Sequence, residues 1–495
     1  MRISVFSHDR SERLEISVKE LYDFIEDFAD QSVLKGWYSW FEKYFSIPEV
    51  VVKQYFKREL AEQFDFVRTR TFGRKLLPLG ILPGIGIYLG AILWIAINRG
   101  SRRKRDKTAD LLLVHTEDVP ALKRFERLIR LFGSSNVLIV VPNRESITFP
   151  GATVLHRPRF MNYRLDFKEL LVVLRSVVFH MFFSVKAGVN LTYMSGKILD
   201  SIFYYRTLFE EIDAKYLLGF QHYHTNAIAN YIFKGAGGIT TAYMQKNIGP
   251  SLGRNSFYYD MDCFFTLGRM TGKRANELGA RIDEVVPIGS FFMESELLKE
   301  DLFKRALVWD VINIGGNSLF PGTYMDIYNA HNEDYLEHLT WLKQASIDYP
   351  SLRIGFKPHP GDRTSLPPYE EDFLADSNVE LIGDSLTSYQ VCFQSKLIVS
   401  WASTMVVEMY GHGRSAFFLD PGGRNDQFIS KEIANVGMFL TSYEEFVEAI
   451  FKNLEKLNGN YTLPESDSLC LRSHKVSQRI YDHLFSSDTR HRHLQ

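Results

Sequence analysis

The chain has 495 residues, 45% hydrophobic and 24% charged, with a formal net charge of -1. That length allows two domains that each bury a core, and that balance excludes an intrinsically disordered chain. A near-neutral total gives no basic field for a polyanion, so no nucleic-acid partner is expected.

Residues 1–75 place Leu21, Phe24, Ile25 and Phe28, then Trp37, Trp40, Phe41 and Phe45, at helical spacing. The pattern predicts a helical prefix whose apolar faces rest either on a membrane or on the body of the protein. Residues 76–107 form a distinct hydrophobic segment with a basic flank. From Leu76 to Ile97 there is no charge, and a helix of that length spans about 33 Å, against roughly 30 Å of bilayer hydrocarbon. Arg68, Arg70, Arg74 and Lys75 precede it; Arg99, Arg102, Arg103, Lys104, Arg105 and Lys107 follow. The expectation is membrane attachment, either spanning or, because Pro78 and Pro83 interrupt the run, dipping in and returning. The denser downstream cluster puts the remaining chain on the cytoplasmic face of the cell membrane. Gly84-Ile-Gly86 and Gly90 imitate a dinucleotide fingerprint, but no strand precedes them and the third glycine is one residue late. Close packing between helices is the better use of these glycines.

From residue 108 short apolar strands alternate with amphipathic helices, the pattern of a parallel α/β sheet. A first domain, 108–290, has candidate strands at Leu111–His115, Asn136–Val141, Ala152–Leu155, Tyr216–Phe220, Ile239–Met244 and Cys263–Leu267. Between them, Leu170–Val185 reads as an apolar helix carrying only Arg175 and His180; at sixteen residues, burial or interfacial docking is favoured over spanning. A second domain, 291–440, has strands at Val311–Ile314, Leu352–Phe356, Val379–Ile382, Leu397–Ser400 and Ala416–Leu419, with a helix at Asp334–Ile347. The tail, 441–495, reads as helical. Cys263, Cys392 and Cys470 share no metal-ligand spacing, fit a reduced compartment and suit packing.

The chemistry concentrates in two short segments. Gly355-Phe-Lys-Pro-His-Pro-Gly-Asp362 places His359 directly after a strand, where Pro358 and Pro360 forbid a helix and fix a turn. Val399-Ser-Trp-Ala-Ser-Thr-Met-Val-Val-Glu408 places Ser403 and Thr404 where a strand gives way to a helix. Hydroxyls and unpaired N–H groups at a helix start suit a bound anion. Glu408 lies four residues past Thr404 on the same helix face, where a carboxylate would accept bonds from the two hydroxyls of a ribose. Lys357 and Arg363 flank the histidine turn and would neutralise phosphates.

A Lys-Pro-His-Pro turn followed by a Ser-Thr-x-x-x-Glu turn resembles the C-terminal half of GT-B-fold transferases that build bacterial surface polymers. The group meant is that of CDP-glycerol glycerophosphotransferases, polysialyltransferases and capsule Kdo-transferases, and the resemblance covers roughly residues 210 to 425. It implies an α/β, GT-B-like fold, with two facing Rossmann-like parallel-sheet domains behind the N-terminal helical, membrane-associated segment. It also implies transfer of a sugar or glycerol-phosphate unit from a nucleotide-activated donor, CMP- or CDP-linked, to a lipid-linked or polymer acceptor. His359, Pro360, Ser403 and Thr404 would then hold the donor phosphates.

A base for the acceptor hydroxyl must come from the first domain. His222 and His224, in Gln221-His-Tyr-His224, follow a strand and titrate near neutrality; ordinary structural hydrogen bonding is the competing role. Glu117 and Asp118 follow the first strand, as a base or as first-turn acids of a helix near Pro120. The similar sialyl-polymer enzymes end that acidic pair in glycine, whereas Val119 stands here. Many relatives carry Gln-His-Gly where this chain has Gln245-Lys246-Asn247. Asp260-Met-Asp262 matches a metal-binding string of glycosyltransferases but precedes a strand instead of ending one, so neither an essential metal nor a cofactor is expected. Arg414, Arg424 and Asp362 are lesser candidates, and His331 and His338 suit a solvated helix face. Two other classes stay open: a non-hydrolysing nucleotide-sugar epimerase, and a catalytically silent GT-B-like assembly partner.

Overall fold

Runs rich in Val, Ile and Leu, separated by helices, build two parallel sheets here, because a strand apolar on both faces must be covered on both. The computed structural model describes residues 18–65, 86, 88–90, 107–114, 124–141, 149, 152–156, 167–219, 225–244, 258–270, 275–276, 279–315, 326–359, 366–423, 436–455, 466–472 and 474–491. The first sheet comprises β1 (Lys107–Val114), β2 (Val137–Val141), β3 (Thr153–His156), β4 (Ile212–Gly219), β5 (Ile239–Tyr243), β6 (Asp260–Thr266) and β7 (Arg281–Pro287), in the order β3-β2-β1-β4-β5-β6-β7. The second comprises β8 (Trp309–Ile314), β9 (Ile354–Lys357), β10 (Glu380–Leu381), β11 (Ser395–Ser400), β12 (Ala416–Leu419) and β13 (Phe439–Leu440), in the order β10-β9-β8-β11-β12-β13. Both are doubly wound: the winding reverses between the first and fourth strands of each sheet, between β1 and β4 and between β8 and β11.

Two strands escaped the sequence pattern. β7 lies at a sheet edge and carries Arg281, Asp283 and Glu284, mostly exposed; edge charges discourage pairing with other chains and erase the apolar signature. β13 is only two residues long.

Helices α1 (Val18–Ala29), α2 (Ser32–Phe45) and α3 (Glu49–Asp65) precede the first sheet. Their Ile25, Trp37, Phe41 and Phe56 are fully buried in the same core as β1 and β4. The Trp37 indole N–H donates to Ser195 Oγ at 3.0 Å and to His180 Nδ1 at 3.2 Å. Of the two resting places foreseen for the prefix, its buried residues occupy the body of the protein. α4 (Glu126–Phe132), α5 (Phe167–Ala187), α6 (Leu191–Glu211) and α7 (Ala227–Gly235) complete the first domain. α5 is 21 residues long, longer than its sequence pattern indicated.

Of the uncharged run 76–97, only Gly86 and residues 88–90 are described. Tyr88 is buried, its hydroxyl 2.7 Å from Ser176 Oγ of α5. The rest of that segment lies outside the described residues.

α8 (Phe291–Lys299) leads to the second domain, which holds α9 (Asp326–Asp348), α10 (Pro368–Ala375), α11 (Ser388–Phe393) and α12 (Thr404–Gly411). After α13 (Tyr443–Leu454) and α14 (Ser466–Leu469), α15 (Val476–His491) returns to the first domain, where Tyr216 donates to the Leu484 carbonyl at 2.8 Å. The tail is wedged between the domains at two glycines. A Cβ on Gly268 would meet Ser468 O at 2.3 Å, and one on Gly411 would meet Cys470 O at 2.4 Å. All three cysteines are free and buried.

Candidate functional site

Ligands of open parallel sheets sit beyond the carboxyl ends of the strands, at the point where the winding reverses. In the second sheet that point lies between β8 and β11. Ile314 pairs with Lys357 and Asn313 with Val399, so β9, β8 and β11 end at nearly one level. Ser400 Oγ donates to Ile314 O at 2.6 Å and ties two of these ends together. His359, Gly315 and Ser403 therefore leave the sheet side by side, with strands about 4.8 Å apart.

Pro358 is buried and His359 exposed, so the turn is anchored while the imidazole stands in solvent. Gly315 underlies it: its N–H donates to Lys357 O at 2.8 Å. A Cβ there would lie 3.0 Å from His359 N and 3.2 Å from Pro358 Cα. The missing side chain lets the two strand ends close up and leaves the floor between His359 and Ser403 open. Gly315 was not singled out from sequence, although a Gly-Gly pair directly after an apolar strand was a usable signal. Gly315→Ala is expected to push the histidine turn by a few tenths of an ångström, lowering turnover while moving the melting temperature little. An unchanged turnover would separate the turn from the chemistry.

Ser403 is the N-cap of α12, with extended backbone (φ -86°, ψ 130°) and its Oγ accepting the Met405 N–H at 3.3 Å. Capping uses an oxygen lone pair and leaves the hydroxyl proton for an anion. Ala402 through Met405 are half-buried, so the helix start opens to solvent. The positive end of the helix dipole lies there, with the Met405 and Val406 N–H groups turned back onto Ser403.

Glu408, one turn further, does something other than expected. It is buried, and both carboxylate oxygens accept from hydroxyls of this chain: Ser290 on one, Tyr389 at 2.7 Å on the other. The ribose-holding role foreseen from the sequence requires open oxygens, which this arrangement does not offer. Ser290 follows β7 and caps α8, and Phe291 N donates to Tyr243 Oη at 3.2 Å. Glu408 thus fastens α12 to the first domain about 6 Å along the axis from the helix start, with the carboxyl edges of the two sheets turned toward each other.

Burial raises the Glu408 carboxyl above its ordinary range, opposed by the hydroxyls of Ser290 and Tyr389 and by Arg124. Tyr243, Tyr389 and Cys470, which interact electrostatically with it, are held protonated by burial. The folded protein then keeps a proton that the unfolded chain releases. The stability this group contributes is complete below the unfolded value and is lost as pH rises through the raised one. The melting temperature of the native chain relative to Glu408→Gln is expected to fall as pH rises above the ordinary carboxyl range. A constant difference would mean that Glu408 ionises normally.

Other expectations are corrected. Lys357 is buried, with Nζ donating to Gly383 O at 2.6 Å and 3.7 Å from Asp384, so it braces the β9 end instead of facing a phosphate. His338 is buried, not solvated, 2.9 Å from Asn313 Oδ1; burial pulls its pKa down to about 3. Arg414 is buried against the carbonyls of Phe393 and Ser395. Asp260 and Asp262 begin β6 and are engaged by Gln54, Thr240 and Lys234. A cavity of about 390 Å³ lined by Phe45, Arg206, Lys234 and Asp260 opens at this amino-terminal edge, the wrong edge for a ligand of a parallel sheet.

Glu117, His222, His224, Pro360 and Arg363 lie outside the described residues, as do Asp362, Lys246, Asn247, Arg424 and the His331 side chain. The strands that lead to the first three are neighbours: β1 and β4 flank the reversal of the first sheet, with Val114 paired to Gly219.

No protein-family model matches the chain, and no curated protein matches its sequence. Solved structures do. A UDP-GlcNAc 2-epimerase from Neisseria meningitidis bound to UDP-GlcNAc is 13% identical, over 77% of this chain and 100% of that one, with a TM-score of 0.45. The UDP-N-acetylglucosamine 2-epimerase from Rickettsia bellii is 14% identical over 77% and 96%, TM-score 0.43. An O-GlcNAc transferase mutant from Thermobaculum terrenum is 10% identical over 94% and 80%, TM-score 0.34. Likeness at this level carries no argument, and the fold rests on the strand orders: this chain is an α/β protein of two Rossmann-like, doubly wound parallel-sheet domains.

Proposed function

We propose that this chain is a membrane-associated, GT-B-type transferase. It moves a sugar or glycerol-phosphate unit from a nucleotide-activated donor to a lipid-linked or polymer acceptor at the cytoplasmic face of the cell membrane. The observation that carries the reading is the placement of His359, Gly315 and the α12 start around the winding reversal of the second sheet. An exposed imidazole and a hydroxyl-capped helix start, on either side of a glycine floor, suit the phosphates of a nucleotide donor.

In this mechanism His359 donates a hydrogen bond to the leaving phosphate as charge builds on it, and Ser403, Thr404 and the helix start complete the cradle. The acceptor hydroxyl loses its proton to a base of the first domain, with Glu117, His222 and His224 as candidates. Pro360 and Arg363, which follow His359 in the sequence, are assigned to the donor side with it. The cradle recognises phosphate and not sugar; the surface-polymer resemblance favours cytidine nucleotides.

Membranes bearing the full chain should transfer label from CMP-, CDP- or UDP-linked donors into lipid or polymer. An epimerised free nucleotide would replace this reading with the isomerase, and neither product would replace it with a silent assembly partner.

A further inference from the structure

Helix α5 is built inside out. Its buried side carries Ser176, His180 and Ser184 between Val173 and Ala187. The three polar residues are engaged by Tyr88, by Trp37 and Ser195, and by Thr192 respectively. The outward side is apolar: Phe167 is 60% exposed, Val178 74%, Phe182 60% and Val185 70%, with Leu174 also exposed. At about 100° per residue these five fall within an arc of roughly 80°, opposite the buried polar row. A helix that solvates its polar groups inside the protein and turns its large apolar groups outward is matched to a hydrocarbon environment, not to water.

A second observation gives the occupant its sign. Lys168, Arg175 and Lys186 are exposed and fall in one row along the flank of the apolar face, from one end of the helix to the other. None has an acidic partner among the described residues; the one acid of this helix, Glu169, pairs with Arg206 instead. A third is continuity. Tyr88 plugs the uncharged segment into the buried side of α5, while Gly86, Leu89 and Gly90 beside it face outward.

We propose that the exposed face of α5 is a docking surface for a bilayer carrying anionic lipids, on which the helix lies in the membrane plane. Its side chains Phe167, Leu174, Val178, Phe182 and Val185 enter the acyl boundary, and the Lys168–Arg175–Lys186 row meets the headgroups. α5 is long and apolar enough to cross a membrane, but two features favour the plane. A spanning orientation would carry Arg175 to about 12 Å inside from the Phe167 end. It would also draw in α2, whose Gly36 packs against Phe183 and which exposes Lys35, Glu42 and Lys43. The inference deepens the membrane part of the proposed function. It gives the donor cleft a fixed distance from the surface on which a lipid-linked acceptor moves.

The test uses the full chain in vesicles of phosphatidylcholine with phosphatidylglycerol. Because the native cysteines are buried, an environment-sensitive fluorophore can be placed at Val178→Cys, Val185→Cys and, as an aqueous reference, Lys304→Cys. In protein that floats with the vesicles, emission at 178 and 185 should shift to the blue. It should be quenched by nitroxides placed about 5–10 Å below the headgroups and resist iodide, while the 304 label does the reverse. Floated protein whose 178 and 185 labels stay open to iodide would overturn the α5 surface and leave membrane attachment intact. Labels shielded from iodide and from the lipid nitroxides alike would overturn it in favour of a second protein copy. Failure to float would overturn attachment itself.

Discussion

His359→Ala is expected to lower transfer by roughly a hundredfold or more, the range seen when a hydrogen bond to developing charge is lost. The fold should be undisturbed, because the imidazole is exposed and the turn is held by buried Pro358 and by the Gly315 N–H on Lys357 O. Ser403→Ala with Thr404→Ala should chiefly weaken donor affinity. It should also cost some stability, since Ser403 caps α12 and losing a cap costs about 1 kcal/mol. Combined with His359→Ala, the losses in turnover should fall short of the sum if one leaving group is served by both turns. Steady-state kinetics on folded variants decide it. Undiminished transfer by His359→Ala would remove the central claim, and strictly additive losses would assign the two turns to different ligands.

Trp37→Ala is the substitution expected to damage the fold most, by about 3–5 kcal/mol. The indole is fully buried, packs edge-on against Phe41 and Phe56, and donates to Ser195 and His180 on two other helices. Its removal creates a cavity and takes away the indole N–H that ties α2 to Ser195 of α6 and His180 of α5, which then keep their contact with each other. For the same reason, deleting α1 to α3 should not release a working two-domain fragment. It would strip one wall from the first domain, and the product should aggregate or lose cooperative melting. A truncated chain that melted as sharply as the whole would show that the prefix is a separate unit.

Much of the architecture was legible because local physics fixed it. Ala416–Leu419 was bounded exactly from sequence, and the other strands of the second sheet except β13 were placed within a few residues, since runs apolar on both faces have few other uses. The helix start at Ser403 and Thr404 was legible for a similar reason, since hydroxyls between a strand and an apolar helical run have a strong local preference; that Ser403 is the cap came from the structure. Residues whose role depends on a distant partner were misread. Glu408 looked like a ligand residue because its spacing from Thr404 put it on the right helix face; Ser290 and Tyr389, 118 and 19 positions away, claim both its oxygens. Lys357 and His338 looked available as charges until carbonyls and Asn313 closed around them. The Gly315-Gly316 pair hinted at a close approach, but which strand end comes against Gly315 is decided only when both are in place. The apolarity of α5 was plain in the sequence, but which face turns outward was not. Composition sets how much apolar surface a helix carries. Only its neighbours, α2, α6 and Tyr88, decided that the polar side would be the buried one.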